Sequence, residues 1–303
     1  MDIALKIDVD TYRGTLEGVP RLVADLGARG IAASFYFSLG PDHTGRALRR
    51  VFRPGFLSKV SRTSVVSHYG LRTLLYGVLL PGPHIARRAG AVLRATAAQG
   101  HETGIHCYDH VYWQDHVAGQ SAAWTRRQFE LAATAYREAF GVAARSHCAA
   151  GWQANAHLLA LEDEYGFDYA SDSRGVGPFL PVMDGYRARC PQLPTTLPTL
   201  DELIGVDGLD VRGAVDRILD LSASAPAAGA HVYTLHAELE GQRFAGEFMR
   251  LVDTWRARGA RLVTLAELRR QLDPARLPRA ALVQGELAGR SGRLALQGKT
   301  LSA

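Results

Sequence analysis

Apolar residues recur in two rhythms along this 303-residue chain. Short, largely apolar runs mark strands buried on both faces. They fall at residues 4–9 and 32–38, running into Ile105, near Ser146, and at 167–170, 232–235 and 261–264. Between them lie longer stretches with apolar positions three and four apart, the period of an amphipathic helix. These cover 16–28, 85–99, 122–140, 155–165, 211–221 and 246–258; Gly30 follows the first and Gly100 caps the second. Strands and helices taking turns at this spacing predict an α/β fold with a parallel sheet, doubly wound or closed into a barrel. After Pro278 the chain turns polar and Gly-rich, with a candidate hairpin pairing 281–287 with 293–296. Without a repeat or clear linker, the expectation is one domain over 1–278, an insertion at about 43–84, and an extension over 279–303.

Composition narrows the class. With 47% hydrophobic and 21% charged residues the chain can bury a core without staples. Disorder and collagen-like or disulfide-rich scaffolds are excluded. Three cysteines, Cys107, Cys148 and Cys190, form no paired spacing and suit a reducing compartment. Asp2, Lys6 and Asp8 stand where a secretory signal needs an apolar centre, and no run is long enough to span a bilayer. A cytoplasmic location is expected.

The net charge of +5 hides an uneven distribution. Between Asp42 and Glu102 there are ten bases and no acid, which leaves 25 bases against 30 acids elsewhere. The chain is a slightly acidic body carrying one strongly basic segment.

Candidate chemistry gathers at the carboxyl ends of predicted strands, where α/β sheets and barrels build their sites. Ile7-Asp8-Val9-Asp10-Thr11 places two carboxylates on one face while the strand stays extended. Such a pair can bind a metal, or divide into one ligand and one general base. His106 and His110 are four apart, so one helical turn would aim both imidazoles at one point. Two imidazoles and a carboxylate leave coordination positions open for water. His101 reads as structural, and Asp109 as an orienting group or a solvated one. A third group, Tyr233-Thr234-Leu235-His236-Ala237-Glu238, is a buried strand ending in His236.

The aspartate-pair strand, the spaced histidines and the late Leu-His strand, in this order, resemble the polysaccharide deacetylase (NodB-like, carbohydrate esterase 4) family over about residues 3–268. Within it the chain is most similar to the deformylases of the bacterial aminoarabinose pathway. Lys6 to Thr11, Glu17 to Leu22, Ala149 to Trp152, Ser171 to Gly175, Leu197 to Thr199 and Tyr233 to Glu238 carry that likeness. The resemblance implies a distorted (β/α) barrel and hydrolysis of the formamide of an undecaprenyl-phosphate-linked formamido sugar. The products would be formate and an amino sugar for lipid A modification and polymyxin resistance. It also implies one divalent metal, zinc, cobalt or manganese, on Asp10, His106 and His110, with Asp8 as base and His236 as acid. Ordinary members have adjacent aspartates, where Val9 intervenes here. Their Arg-x-Pro motif is replaced by Cys148-Ala149-Ala150-Gly151-Trp152.

That replacement makes Arg174 a candidate for steadying the base, for binding the substrate phosphodiester, or for a plain salt bridge. Asp172 could meet sugar hydroxyls or support the metal, Trp152 could line the sugar pocket or the core, and Glu238 could orient His236 or touch the amine. Glu240 reads as solvated. An N-acetyl-sugar deacetylase is the rival enzyme, and a non-catalytic lipid- or glycan-binding protein the rival of another class.

In the basic segment, Phe56 and other apolar residues interleave with Arg49, Arg50 and Arg53, and Leu71, Leu74, Leu75, Val78 and Leu79 follow a helical stripe. No nucleic-acid motif accompanies the charge. Either the stripe packs on the barrel, or Arg49, Arg50 and Arg53 meet anionic lipid while Phe56 and Leu75 enter the interface. The second reading places the protein peripherally on the cytoplasmic face of the inner membrane.

Overall fold

A computed structural model of the chain describes residues 1–47, 70–224, 226, 229–290 and 292–301. Its strands are β1 (Asp2–Val9), β2 (Ser34–Ser38), β3 (Glu102–Cys107), β4 (Ser146–His147), β5 (Tyr169–Ala170), β6 (Leu180–Met183), β7 (Tyr186–Arg187), β8 (Ala230–His236), β9 (Arg261–Val263), β10 (Arg279–Glu286) and β11 (Arg293–Thr300). Seven of these form a parallel sheet in the order β5-β4-β3-β2-β1-β8, with β9 also on β1. β1 pairs with β8 from Asp2 to Asp8. Its other edge meets β9 at Asp2–Ala4 and β2 at Lys6–Val9. The sheet therefore curls into a distorted, partly closed barrel. β1 is buried on both faces, which is why it lacks the apolar-polar alternation of a half-exposed strand.

Around the sheet lie α1 (Val19–Gly27), α2 (Leu71–Leu75), α3 (Ile85–Ala98), α4 (His110–His116), α5 (Ala122–Phe140), α6 (Ala156–Glu164), α7 (Leu200–Leu203), α8 (Val211–Leu221), α9 (Ala245–Ala257) and α10 (Leu265–Arg270). The helices predicted from apolar spacing are present, and their buried apolar residues join the core. In α5 this stripe is Phe129, Ala132, Ala133 and Tyr136. The stretch before α1 differs: Gly14–Gly18 is a π-helical turn. A second sheet of order β11-β10-β6-β7 joins the C-terminal hairpin to the body through the parallel β10–β6 pair. Strands of two to four residues such as β6 and β7 are too short to leave a periodic signal.

The basic segment departs from the expected helix. Its stripe predicts a helix reaching Leu79, but α2 stops at Leu75 and Tyr76 is already extended. Gly77 at φ 79° and Pro81 prevent continuation. Leu71, Val78, Leu79 and Leu80 are left exposed, while Leu75 is half-buried. Arg49, Arg50, Arg53 and Phe56 lie outside the described residues. Among the described residues no helix is long and apolar enough to cross a membrane.

β1 and β8 are each followed by a π-helical turn, Gly14–Gly18 and Leu239–Arg243, and the two turns press together. A Cβ on Gly18 would stand 2.0 Å from the Ala237 carbonyl oxygen, so only glycine fits. Gly18→Ala should destabilise the protein by about 1–3 kcal/mol through overpacking, read as a lower urea midpoint at unchanged slope.

Candidate active site

The parallel register brings three strand ends to one rim: Asp8 faces His236 across β1 and β8, and His106 stands near the end of β3. Asp10 follows just past β1. His106 and His110 do not share a helical turn as predicted. The four-residue step runs from a strand end through a turn to the first residue of α4. Asp109 makes that turn, accepting from the Tyr112 amide at 3.1 Å and meeting His43 Nδ1 at 2.6 Å. The two imidazoles still converge. Their Nε2 atoms lie 3.2 and 3.3 Å from Asp10 Oδ1.

These donors fit a divalent cation. His106 Nδ1 donates to the Cys148 carbonyl at 2.7 Å, so a neutral ring turns a bare Nε2 lone pair toward Asp10. Asp10 Oδ1 is buried without a hydrogen-bond partner. Lone pairs facing each other need a proton or a cation between them. Burial opposes the Asp10 charge, but His110 and His106 outweigh it and hold the carboxyl well below its usual range. His110 is 17% exposed, which leaves the cluster open on one side. Among the described residues two further donor clusters occur, Asp8–His106–Cys148 and His147–Glu162–Asp172, and both are closed. Burial pushes the Cys148 thiol up, so it stays protonated and lies as a donor 3.4 Å from Asp8 Oδ1.

Asp8 has a cationic neighbour that the sequence reading overlooked. Lys6, two residues earlier on the same face of β1, is fully buried and donates to the Ser171 carbonyl at 2.8 Å. Burial works against its charge, but Asp8 leads the interactions that raise it overall. The visible signal was a lysine in a strand whose residues from Ile3 to Val9 are otherwise apolar except for Asp8.

Arg174 is the plain ion pair. It is buried, donates to Glu202 at 2.5 Å and to the Leu197 carbonyl at 2.9 Å, and lies over Trp152. Both terminal nitrogens of the guanidinium are thus committed to neighbouring protein groups. Trp152 is 2% exposed beneath Lys6, Arg174 and Arg290, and so belongs to the core. Asp172 has no exposure and accepts from the Ala149 amide at 2.7 Å and Gln192 Nε2 at 2.6 Å. It fixes the loop after β4 and cannot meet a sugar.

His236 is half-buried, with Asp201 Oδ1 4.0 Å from its Nδ1. Burial disfavours the imidazolium, yet Asp201, Asp10 and Asp8 together raise its pKa. Asp201, absent from the sequence reading, sits on α7, a helix of one turn that periodicity could not reveal. Glu238 neither orients His236 nor reaches outward. Its Oε1 accepts from the amides of Asp10 at 3.1 Å and Thr11 at 2.9 Å and from the Thr11 hydroxyl at 2.8 Å, which pins the loop carrying Asp10. Burial and the nearby Asp10 push it up to about 8. Glu240 is buried rather than solvated and accepts the His236 amide at 3.0 Å. Burial pushes it up to about 7.

No family model matches the chain. It is 34% identical over 302 residues to a protein of Shewanella sediminis (strain HAW-EB3) named as a 4-deoxy-4-formamido-L-arabinose-phosphoundecaprenol deformylase, covering 99% of this chain and 96% of that one. A Wigglesworthia glossinidia brevipalpis protein of the same name is 29% identical over 290 residues, 95% of this chain and 99% of that one. Among solved structures, a Mycobacterium smegmatis protein described as a polysaccharide deacetylase superposes with a TM-score of 0.62 at 18% identity, covering 94% of each chain. At that identity the likeness concerns the fold.

Glu240 supplies a pH test. Its folded-state pKa is raised from 4.5 to about 7, so the folded chain holds the proton more tightly than the unfolded one. The stability this contributes is complete below the unfolded value and fades as pH rises through about 7. Urea unfolding at about pH 5 and about pH 8 should therefore show a loss that Glu240→Gln reduces.

Proposed function

The chain belongs to the family of 4-deoxy-4-formamido-L-arabinose-phosphoundecaprenol deformylases, and on that premise we propose that it hydrolyses the formamide of the undecaprenyl-phosphate-linked sugar to formate and the free 4-amino sugar. It is an amide hydrolase. Within this chain, the convergence of Asp10, His106 and His110 beside Asp8 and His236 carries the reading.

Asp10, His106 and His110 would hold the divalent cation, with zinc, cobalt and manganese all compatible with the donor set. Bound there, it would acidify water and offset charge on the formyl oxygen. Asp8 accepts the proton of the attacking water, placed by the Cys148 thiol and the charge of Lys6. Water oxygen bonds to the formyl carbon, the C–N bond breaks, and His236 as imidazolium gives its proton to the departing nitrogen. His236 suits the role because the surrounding carboxylates raise its pKa.

Formate release from the lipid-linked formamido sugar, with metal analysis of the same preparation, tests the reading. Wild type should release formate and retain metal. His106→Ala should lose both, and Asp8→Asn should keep metal while losing about 10²–10⁴ in kcat. Acetate release from an N-acetyl sugar, without formate release, would make it a deacetylase. An inert, metal-free protein would fit a binder.

The basic segment is proposed to face an anionic membrane surface, the source of a lipid-anchored substrate. Leu71, Val78, Leu79 and Leu80 are each exposed, as is Arg72, and large apolar side chains beside a base suit a lipid interface. Sedimentation with phosphatidylglycerol vesicles at low salt should weaken on Leu79→Asp. Failure of wild type to sediment would overturn this part alone.

A further inference from the structure

The loop between β10 and β11 reaches the rim of the site. Arg290 extends from it to α7: its Nε lies 2.7 Å from Glu202 Oε1 and its Nη2 3.7 Å from Asp201 Oδ1. The same Nη2 donates to Thr199 Oγ1 at 3.4 Å, and the guanidinium carbon lies 4.4 Å from the centre of the Trp152 ring. The preceding residue is equally committed. Gly289 adopts φ 82°, and a Cβ there would stand 2.6 Å from the Glu202 carbonyl oxygen. Two neighbouring residues of the hairpin loop are thus shaped to α7.

α7 needs this support. A helix of four residues has no stability of its own. Its Thr199 and Glu202 form a capping box, and Glu202 Oε1 is shared between Arg174 below and Arg290 above. Asp201 lies on this turn, accepting from the Thr199 hydroxyl at 2.5 Å and facing His236 Nδ1 at 4.0 Å. Arg174 engages Glu202; it is Arg290 that lies against Asp201 as well.

We infer that Arg290 is a positioning residue for His236, acting through Asp201, so that the C-terminal hairpin is part of the catalytic unit. The inference rests on the reading of His236 as the acid. The guanidinium fork holds α7 and sets Asp201 against the imidazole, and lysine has the charge without the fork. The hairpin is anchored for this purpose by the parallel pairing of β10 with β6.

The test compares Arg290→Met, Arg290→Lys, Gly289→Ala, Asp201→Asn and the Arg290→Met/Asp201→Asn pair in the metal-loaded full-length enzyme, by formate release. Arg290→Met should lower kcat about 10- to 100-fold with KM and bound metal unchanged. Gly289→Ala should do the same, and Arg290→Lys should restore part of the loss. In the Asp201→Asn background Arg290→Met should cost almost nothing further, because both changes remove one interaction. Fully additive losses would overturn the inference, as would a raised KM at unchanged kcat, which makes Arg290 a substrate contact. Wild type releasing no formate would sink the proposed function and this inference with it. Formate release with additive losses sinks the inference alone.

Discussion

Gathering Asp8, Asp10, His106, His110 and His236 at the end of a buried sheet takes charge out of water, and every such group must find a counter-charge or give up its own. Much of the structure around the rim answers that demand. Lys6 lies beneath Asp8, and the Asp10–His106–His110 cluster turns lone pairs toward a common point that a cation would satisfy. Glu238 and Glu240 answer it by holding their protons, at about 8 and about 7. Carrying less than a full negative charge, they still accept backbone amides, which fixes the Asp10 loop and His236.

The same constraint explains the unusual backbone. The π-helical turns after β1 and β8 lie against each other, and glycine at 14 and 18 allows the approach. A Cβ at Gly14 would fall 1.9 Å from Glu238 Oε1, the atom that anchors the Asp10 loop. Pinning that loop therefore requires a missing side chain on the neighbouring turn. π-helical turns recur at functional sites because they displace backbone in this way.

The alternation of strand and helix, the helix positions and the convergence of chemistry at strand ends were legible in the sequence, because burial on two faces and burial on one stripe leave different periods. The roles of Arg174, Asp172, Trp152 and Glu238 were not. Each is polar or amphipathic, and nothing local distinguishes a buried, satisfied group from one facing substrate. Asp201 and Arg290 left no signal because one sits on a single helical turn and the other on a hairpin loop.

By itself the sequence determined a parallel α/β body, a basic segment and the residue types of a metal-dependent hydrolase, since composition and periodicity are properties of the chain taken in order. The tertiary structure decided which charges meet. Glu238 comes to Asp10 across 228 residues, and Arg290 comes to Asp201 from the far end of the chain. Partnerships between residues so distant depend on how the sheet curls and where the last hairpin docks. Coulomb and desolvation energies follow those distances in space, and separation along the chain does not encode them.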